Sequence, residues 1–295
     1  MKKFLIFIAK LLFITVLSAV LLDVIYTVVY LKTSDRNKIT YVYSSKAKNF
    51  DVVFMGSSRT QNHMVAKLFN DKGITAYNFG MSGSKLDETA LLLKLMLEHN
   101  YKIKNCFLDI DLNLNSNSKS EGTKALYMPY LHNSETIRNH YKNRKEYSKL
   151  LYIPFYRYIK NDVKIGFREM LFSMTNKKSN SLENFGYFAL KGNGKNMSYD
   201  LSNYSPKRNF AYEEIKLICK NNNIHLIAIA TPMCQQCSSD TYYKSIKSIY
   251  PEVYNYESKV TDDANFASCG HMNVKGANMF TTIILNDFLQ NKFKN

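Results

Sequence analysis

The chain has 295 residues, of which 45% are hydrophobic and 22% are charged, a composition typical of a globular protein. It carries 40 lysines and arginines against 24 aspartates and glutamates, and the net charge of +16 favours anionic partners unless it reflects only a general bias toward lysine. The sequence contains neither a zinc-finger spacing nor an aromatic RNA-binding signature, so we expect no nucleic-acid partner.

A long apolar segment begins at the N-terminus. Residues 4–31 follow two lysines and contain only two charged side chains, Lys10 and Asp23. Residues 11–30 alone are enough to span a bilayer, since a helix rises about 1.5 Å per residue. Because the lysines before the segment favour a cytoplasmic N-terminus, we expect residues 1–31 to form a single-pass signal-anchor in the cell membrane, with the rest of the chain outside the cytoplasm. A cleaved signal peptide is the alternative, although its apolar core is usually shorter.

Beyond a polar linker over residues 32–49, we expect one domain over residues 50–295, in which strands alternate with helices. The pattern predicts strands at 51–55, 74–79, 105–110 and 224–230, and helices at 61–69, 86–97, 212–221, 240–249 and 274–293. This alternation predicts a doubly wound, three-layer α/β domain built on a parallel sheet.

A polar insert, rich in tyrosine and lysine, interrupts this alternation over residues 114–208. It has no strong strand pattern, and residues 150–174 are expected to hold one or two amphipathic helices. The insert is therefore a candidate lid or acceptor-binding subdomain.

The ends of the predicted strands carry the residues of chemical interest, because functional groups gather at the carboxyl ends of parallel strands. Gly56 and Ser57 lead to Ser58 directly after the first strand, where Ser58 is either a nucleophile near backbone N–H groups or an ordinary helix cap. After the second strand, Gly83 could offer an unhindered backbone N–H to an oxyanion. After the third, the side-chain amide of Asn113 either completes an oxyanion hole or belongs to a turn.

A histidine lies just before the last predicted helix. His271 is on a loop flanked by glycines, and such a position suits a general base better than the positions of the other histidines. We expect Ser58 Oγ to lie within hydrogen-bond reach of a His271 ring nitrogen. His63 follows Ser58 closely and could line the same site.

These four regions resemble the sequence blocks of the SGNH (GDSL-like) hydrolases. Gly56-Ser57-Ser58 resembles the first block, Asn78-Phe79-Gly80-Met81-Ser82-Gly83 the second, and His271-Met272-Asn273-Val274-Lys275-Gly276-Ala277 the last, in the family's order. The resemblance implies a flavodoxin-like parallel sheet, Ser58 as nucleophile, His271 as base, and Gly83 as an oxyanion donor, with Asn113 the best candidate for the remaining donor. It implies no metal or organic cofactor.

The sequence departs from the family pattern at two points. The family usually has an aspartate three residues before the histidine, whereas this chain has Ser268, so the acid is either absent or supplied by Asp262 or Asp263. The third block lacks its glycine near Asp111 and Asn113.

An N-terminal span followed by such a domain resembles the proteins of teichoic-acid D-alanylation and polysaccharide O-acetylation. The resemblance implies a serine esterase or O-acyltransferase that acts on acylated polysaccharide or cell-wall polymer, beside a multi-span membrane acyltransferase. The alternative is a membrane-anchored binding or assembly protein that keeps the fold without catalysis.

The five cysteines do not indicate a disulfide framework, because their number is odd. Cys234 and Cys237 form a C-x-x-C pair, which we interpret as a local disulfide or two thiols, with metal binding a weaker alternative.

Overall fold

A parallel sheet of five strands organises the C-terminal part of the chain in the computed structural model, which describes residues 1–45, 47–238 and 240–293. The strands of the described residues are β1 (Asn49–Met55), β2 (Ala76–Asn78), β3 (Lys102–Asp109), β4 (Ser198–Asp200), β5 (His225–Ala230), β6 (Gln236–Ser238), β7 (Tyr254–Asn255), β8 (Phe266–Ser268) and β9 (His271–Met272). The sheet has the strand order β2-β1-β3-β5-β7, and every pairing in it is parallel. The predicted α/β class with a parallel sheet is confirmed.

The inner strand β1, which pairs with β2 on one side and β3 on the other, shows why these residues form a sheet. Val52, Val53 and Phe54 are buried, as expected for a strand covered on both faces by helices. In the register, Phe54 lies opposite Asn78 of β2 and Phe107 of β3, so the three strands end side by side. Their carboxyl ends therefore deliver three loops to one edge of the sheet.

Helices account for most of the remaining structure. The α-helices are α1 (Lys2–Lys32), α2 (Lys38–Ser44), α3 (Ser58–His63), α4 (Ala66–Asn70), α5 (Leu86–Glu98), α6 (Glu121–Tyr127), α7 (Glu135–Tyr141), α8 (Tyr147–Tyr152), α9 (Tyr156–Lys160), α10 (Asp162–Ile165), α11 (Phe167–Met174), α12 (Phe210–Asn221), α13 (Asp240–Ile249) and α14 (Val274–Leu289). In α14, Ala277, Phe280 and Ile284 are fully buried at helical spacing, and they join β1 and β5 in one apolar core.

The chain divides into two compact units. One consists of residues 1–45 and 121–178, and the other of residues 46–120 and 179–295, which contains the five-stranded sheet. The first unit includes α1, the one helix among the described residues that is long and apolar enough to cross a membrane, a property that a signal sequence shares. The domain boundaries expected from the sequence remain predictions.

Several elements differ from the sequence expectation. The single helix expected over residues 61–69 is two short helices, α3 and α4, because the chain turns at Met64 and Val65 between them. The helix expected to reach residue 293 ends at Leu289. Strands β4 and β7 were not predicted, since strands of two or three residues carry too little periodicity to be recognised.

Candidate active site

The loop that carries Ser58 turns sharply after β1. Gly56 has a φ of +144°, and a Cβ at this position would collide with the Thr60 hydroxyl and approach Asp109 O to 3.2 Å. Only glycine fits such a conformation and such close neighbours. Ser58 is the first residue of α3, and Ser57 is the N-cap of that helix. The helix-capping role considered for Ser58 therefore belongs to Ser57, and Ser58 is left as the candidate nucleophile.

Ser58 and His271 meet at the carboxyl edge of the sheet, although 213 positions separate them in sequence. Ser58 Oγ lies 2.8 Å from His271 Nε2, within the distance expected of a nucleophile and its base. His271 Nδ1 lies 3.3 Å from Ser268 Oγ. In the neutral tautomer that carries its proton on Nδ1, His271 donates from Nδ1–H to Ser268 Oγ and accepts from the Ser58 hydroxyl at Nε2. In this arrangement His271 is a neutral base.

The second loop presents Gly83 to the same site. Gly83 has a φ of +75°, and nothing lies within 4 Å of the place where its Cβ would be, so its backbone is open to a ligand. Asn78 holds this loop against α3, because its side-chain amide donates to Thr60 O and Met64 O at 2.7 Å each and its Oδ1 accepts from Gly80 N at 2.9 Å.

A cavity of about 210 Å³ brings the four predicted site residues together. Ser58, Gly83, Asn113 and His271 all line it. The other lining residues are Ser57, Arg59, Ser84, Lys85, Leu112, Tyr199, Met233, Cys269 and Gly270. His63 is not among them: it is fully buried, and its Nε2 lies 3.1 Å from both Gly270 O and Met272 N. His63 therefore contacts the backbone on both sides of His271 and does not line the cavity.

Arg59 brings a buried positive charge to the cavity. Its side chain is almost completely buried, and Nη2 donates to Thr231 O at 2.7 Å, to Thr231 Oγ1 at 2.6 Å and to Pro232 O at 3.0 Å. Its Nε lies 4.0 Å from the carboxylate of Asp109 at the end of β3. The residue after Ser58 is thus bound to the segment that follows β5.

The surroundings of His271 disfavour its charged form. Burial, and then the positive charge of Arg59, lowers the pKa of His271 below its ordinary value of 6.5. Burial lowers the pKa of His63 further, with smaller contributions from Arg59 and His271. His271 is therefore neutral at neutral pH, as a general base must be.

The structure places both candidate upstream acids in other hydrogen bonds. Asp263 accepts from Met197 N at 3.0 Å and from Gln235 N at 3.1 Å. Asp262 caps the short helix that follows it by accepting from Ala264 N at 2.9 Å. In the described hydrogen bonds, the partner of His271 Nδ1 is Ser268.

The interpretation of the C-x-x-C pair was wrong. Cys234 forms a disulfide with Cys269, at a Cα–Cα distance of 4.9 Å, and Cys237 is not disulfide-bonded. The physical reason is long-range: the loop before β9 returns to the segment after β5, within the Cα separation that a disulfide requires. The disulfide thereby holds the backbone two residues before His271.

Sequence analysis missed two features of the site. Arg59 directly follows Ser58 and precedes the helix predicted over residues 61–69, and this position gave no signal that its side chain turns inward. The Cys234–Cys269 disulfide had one available signal, the position of Cys269 two residues before the candidate base. That proximity could have linked this cysteine to the site, but it could not have identified its partner.

Comparisons with known proteins leave the family open. No family model matches the chain, and no curated protein matches it. Among solved structures, one from Bacteroides fragilis that is provisionally described as an acylhydrolase has 11% identity and a TM-score of 0.40, covering 85% of this chain and 92% of its own. Another, from Streptococcus pneumoniae and provisionally described as a platelet activating factor, has 14% identity and a TM-score of 0.36, covering 96% and 98%.

Proposed function

We propose that the protein is a serine esterase or O-acyltransferase that acts on acyl groups of a cell-surface polysaccharide or cell-wall polymer. The observation that carries this proposal is the 2.8 Å contact between Ser58 Oγ and His271 Nε2 beside an open cavity. The SGNH-like order of the sequence blocks supports the same chemistry.

The proposed reaction has two acyl-transfer steps. His271 Nε2 accepts the Ser58 proton as Oγ attacks the ester carbonyl, and the resulting oxyanion collapses with loss of the alcohol, which takes the proton from His271. Water or a sugar hydroxyl then attacks the acyl-serine, again with His271 as base. The products are a free acid or a new ester, and Ser58 regains its proton. No metal or organic cofactor takes part in this scheme.

The oxyanion would be held by backbone N–H groups. Ser58, at the start of α3, and Gly83, in the loop after β2, both line the cavity, and Asn113 lines it from the segment after β3. Preorganised donors of this kind commonly contribute about 10²–10³ in rate each.

The proposed site of action is outside the cytoplasm, next to the membrane. Helix α1 has the length and apolarity of a span, and two lysines precede its apolar run. A multi-span membrane acyltransferase is the partner proposed to supply acyl groups, on the strength of the sequence resemblance alone.

A fluorophosphonate probe tests the proposed chemistry, because it reacts with an activated serine and forms a stable adduct. We expect labelling of the purified full-length chain, loss of labelling in Ser58→Ala and His271→Ala, and normal labelling in Ser82→Ala, the matched control in the second loop. Labelling that persists in Ser58→Ala would overturn the assignment of the nucleophile.

One observation favours a second candidate function. The partner of His271 Nδ1 is a hydroxyl, that of Ser268, where a carboxylate would stabilise the imidazolium form. A binding or assembly protein without catalysis would tolerate this replacement. Absence of both probe labelling and ester turnover, with retained binding of an acylated polysaccharide to the cavity, would favour this candidate.

A further inference from the structure

Three of the five cysteines lie near the catalytic cavity, and the proposed reaction uses none of them. Cys234 and Cys269 form the disulfide, whereas Cys237 keeps its thiol and is half-buried. Cys269 itself lines the cavity. Cys237 lies in β6 opposite Tyr199 of β4, and Tyr199 also lines the cavity. A thiol and a disulfide therefore lie beside the same site.

A tight turn brings the Cys237 backbone close to that of Cys234. Cys237 N donates to Cys234 O at 3.2 Å, which is the hydrogen bond that closes a four-residue β-turn. The first and last Cα atoms of such a turn are less than about 7 Å apart. Bonded cysteines usually have their Cα atoms about 4.4–6.8 Å apart, and the 4.9 Å between Cys234 and Cys269 lies in this range. Cys234 therefore has two cysteines at a backbone separation that suits a disulfide.

The two cysteines around Cys234 belong to different parts of the fold. Cys237 is held in β6, which pairs with β4, whereas Cys269 belongs to the turn between the antiparallel strands β8 and β9. Cys234 itself is buried, while Cys237 and Cys269 are both half-buried. A change of partner at Cys234 would thus keep β6 in place and release the turn that precedes His271.

We propose that these three cysteines form a site of thiol–disulfide exchange, in which Cys234 changes its partner from Cys269 to Cys237. The Cys237 thiolate attacks Cys234 Sγ, and the bond between Cys234 and Cys269 breaks. Cys269 leaves as a thiolate and takes up the proton that Cys237 has lost. One disulfide and one thiol are present before and after, so the exchange needs no oxidant or reductant. It stands independently of the proposed acyl transfer.

The exchange changes what holds the candidate base. In the structure, the disulfide fixes the backbone two residues before His271. After the exchange, β8 and β9 keep only non-covalent contacts, such as those of His63 Nε2 with Gly270 O and Met272 N. Loss of the covalent link lowers the cost of local opening, so we expect the backbone amides of β8 and β9 to exchange faster with solvent in this form.

Disulfide mapping of the purified full-length chain tests the proposal. The oxidised chain is incubated without reductant at about pH 8, where thiolates form, and is then brought to about pH 5 with N-ethylmaleimide. Non-reducing peptide mass spectrometry identifies the disulfide and the alkylated cysteine. Cys106 and Cys219 are buried, which limits their reaction in the folded chain. We expect label at both Cys237 and Cys269, together with a Cys234–Cys237 disulfide peptide.

Two single substitutions isolate the two pairings. Cys237→Ser keeps only the pairing in the structure, and Cys269→Ser leaves Cys234 and Cys237 as the pair. We expect complete loss of label at Cys269 in Cys237→Ser. Hydrogen exchange followed by mass spectrometry should show faster exchange in β8 and β9 in Cys269→Ser than in Cys237→Ser.

Several results would overturn the proposal. Label at Cys237 alone in the wild type would mean that Cys234 keeps its partner, and two labelled thiols in Cys269→Ser would mean that Cys234 does not bond Cys237. Label at Cys269 that persists in Cys237→Ser would mean that the disulfide opens without Cys237. Disulfide-linked dimers in place of the internal pair would mean exchange between chains, and equal hydrogen exchange in the two variants would remove the effect on the His271 loop.

The mapping does not depend on catalysis. Fluorophosphonate labelling of Ser58 reports the proposed acyl-transfer chemistry, whereas the disulfide peptides report only which cysteines are bonded. Failure of the exchange and failure of the proposed function are therefore distinguished.

Discussion

The loop of Ser58 and the loop of His271 are held in place by different means. The Ser58 loop depends on the turn at Gly56 and on neutral and charged hydrogen bonds: Arg59 binds Thr231, and Asn78 binds the backbone of α3. Most of these groups are buried, and removing any of them leaves buried partners unsatisfied.

The His271 loop is held instead by a disulfide bond and by weaker, non-covalent contacts of His63 and Ser268. Cys269 is bonded to Cys234, and His63 Nε2 lies between Gly270 O and Met272 N. Ser268 Oγ is the hydrogen-bond partner of the imidazole Nδ1.

The difference shows that the groups that position the two loops are not the groups that set the charge state of His271. Both loops are firmly positioned, yet burial and then the positive charge of Arg59 lower the pKa of His271 and so disfavour imidazolium. A carboxylate at the position of Ser268 would do the opposite. We therefore expect a correctly assembled but slow esterase, and the following predictions test each side of the comparison.

Removing the base should have the largest effect. We expect His271→Ala to lower kcat/KM for a small acyl ester by about three orders of magnitude or more, because Ser58 then lacks a proton acceptor. His225→Gln is the matched control, since His225 lies at the start of β5 and bonds Asn105. Equal turnover by His271→Ala and the wild type would show that the 2.8 Å contact is not catalytic.

Breaking the disulfide should mainly affect stability. Cys234 and Cys269 are 35 positions apart, and closing a loop of this length is worth about 4 kcal/mol in the chain-entropy model. We expect Cys269→Ser to lower the free energy of unfolding by an amount of this order, measured by urea denaturation, and to lower ester turnover as the His271 loop loosens. Cys237→Ser is the control, and an equal loss there would contradict the assigned pairing.

Supplying the acid should raise activity by a smaller factor. We expect Ser268→Asp to increase ester turnover by about tenfold or more, because a carboxylate near Nδ1 stabilises the imidazolium that forms during the reaction. Ser268→Asn is the matched control, because asparagine is neutral and similar in size to aspartate.

A different result is expected from the upstream aspartates. Asp263→Asn should leave turnover close to the wild-type value, because its carboxylate accepts from Met197 N and Gln235 N. Abolished activity in Asp263→Asn would instead mean that this carboxylate completes a triad.

The smallest expected effect is a shift in the pH profile. His271 acts as base only when neutral, so activity is lost as the pH falls through its pKa, and the lowered pKa places this acid limb below about 6.5. Replacing Arg59 with a neutral residue removes one cause of the lowering, and the limb should move to higher pH.

The matched variants separate this charge effect from damage to the fold. Arg59→Gln is combined with Asp109→Asn, so that no buried carboxylate loses its cationic neighbour, and Arg59→Lys retains the charge. We expect the limb to move in the double variant and to stay in Arg59→Lys. If the acid limb of the pH profile does not move in either variant, burial alone sets the pKa of His271.

Local patterns were sufficient to predict much of the fold. The apolar run of β1 followed by Gly56 predicted a strand and a turn, and the spacing of Ala277, Phe280 and Ile284 predicted the last helix. The segment 150–174 was predicted only in outline, because its helices are four to eight residues long and periodicity needs more turns than that.

The sequence by itself determined the parallel α/β class, the apolar N-terminal helix and the segments, after the strands and before the last helix, that hold Ser58, Gly83, Asn113 and His271. These features follow from side-chain period and from glycine at strand ends, which act over a few residues. Only the tertiary structure decided that Ser58 meets His271 across 213 positions, that Cys234 pairs with Cys269 and that Arg59 turns inward. Such contacts depend on which strands pair and in what register, and no short stretch of sequence contains that information.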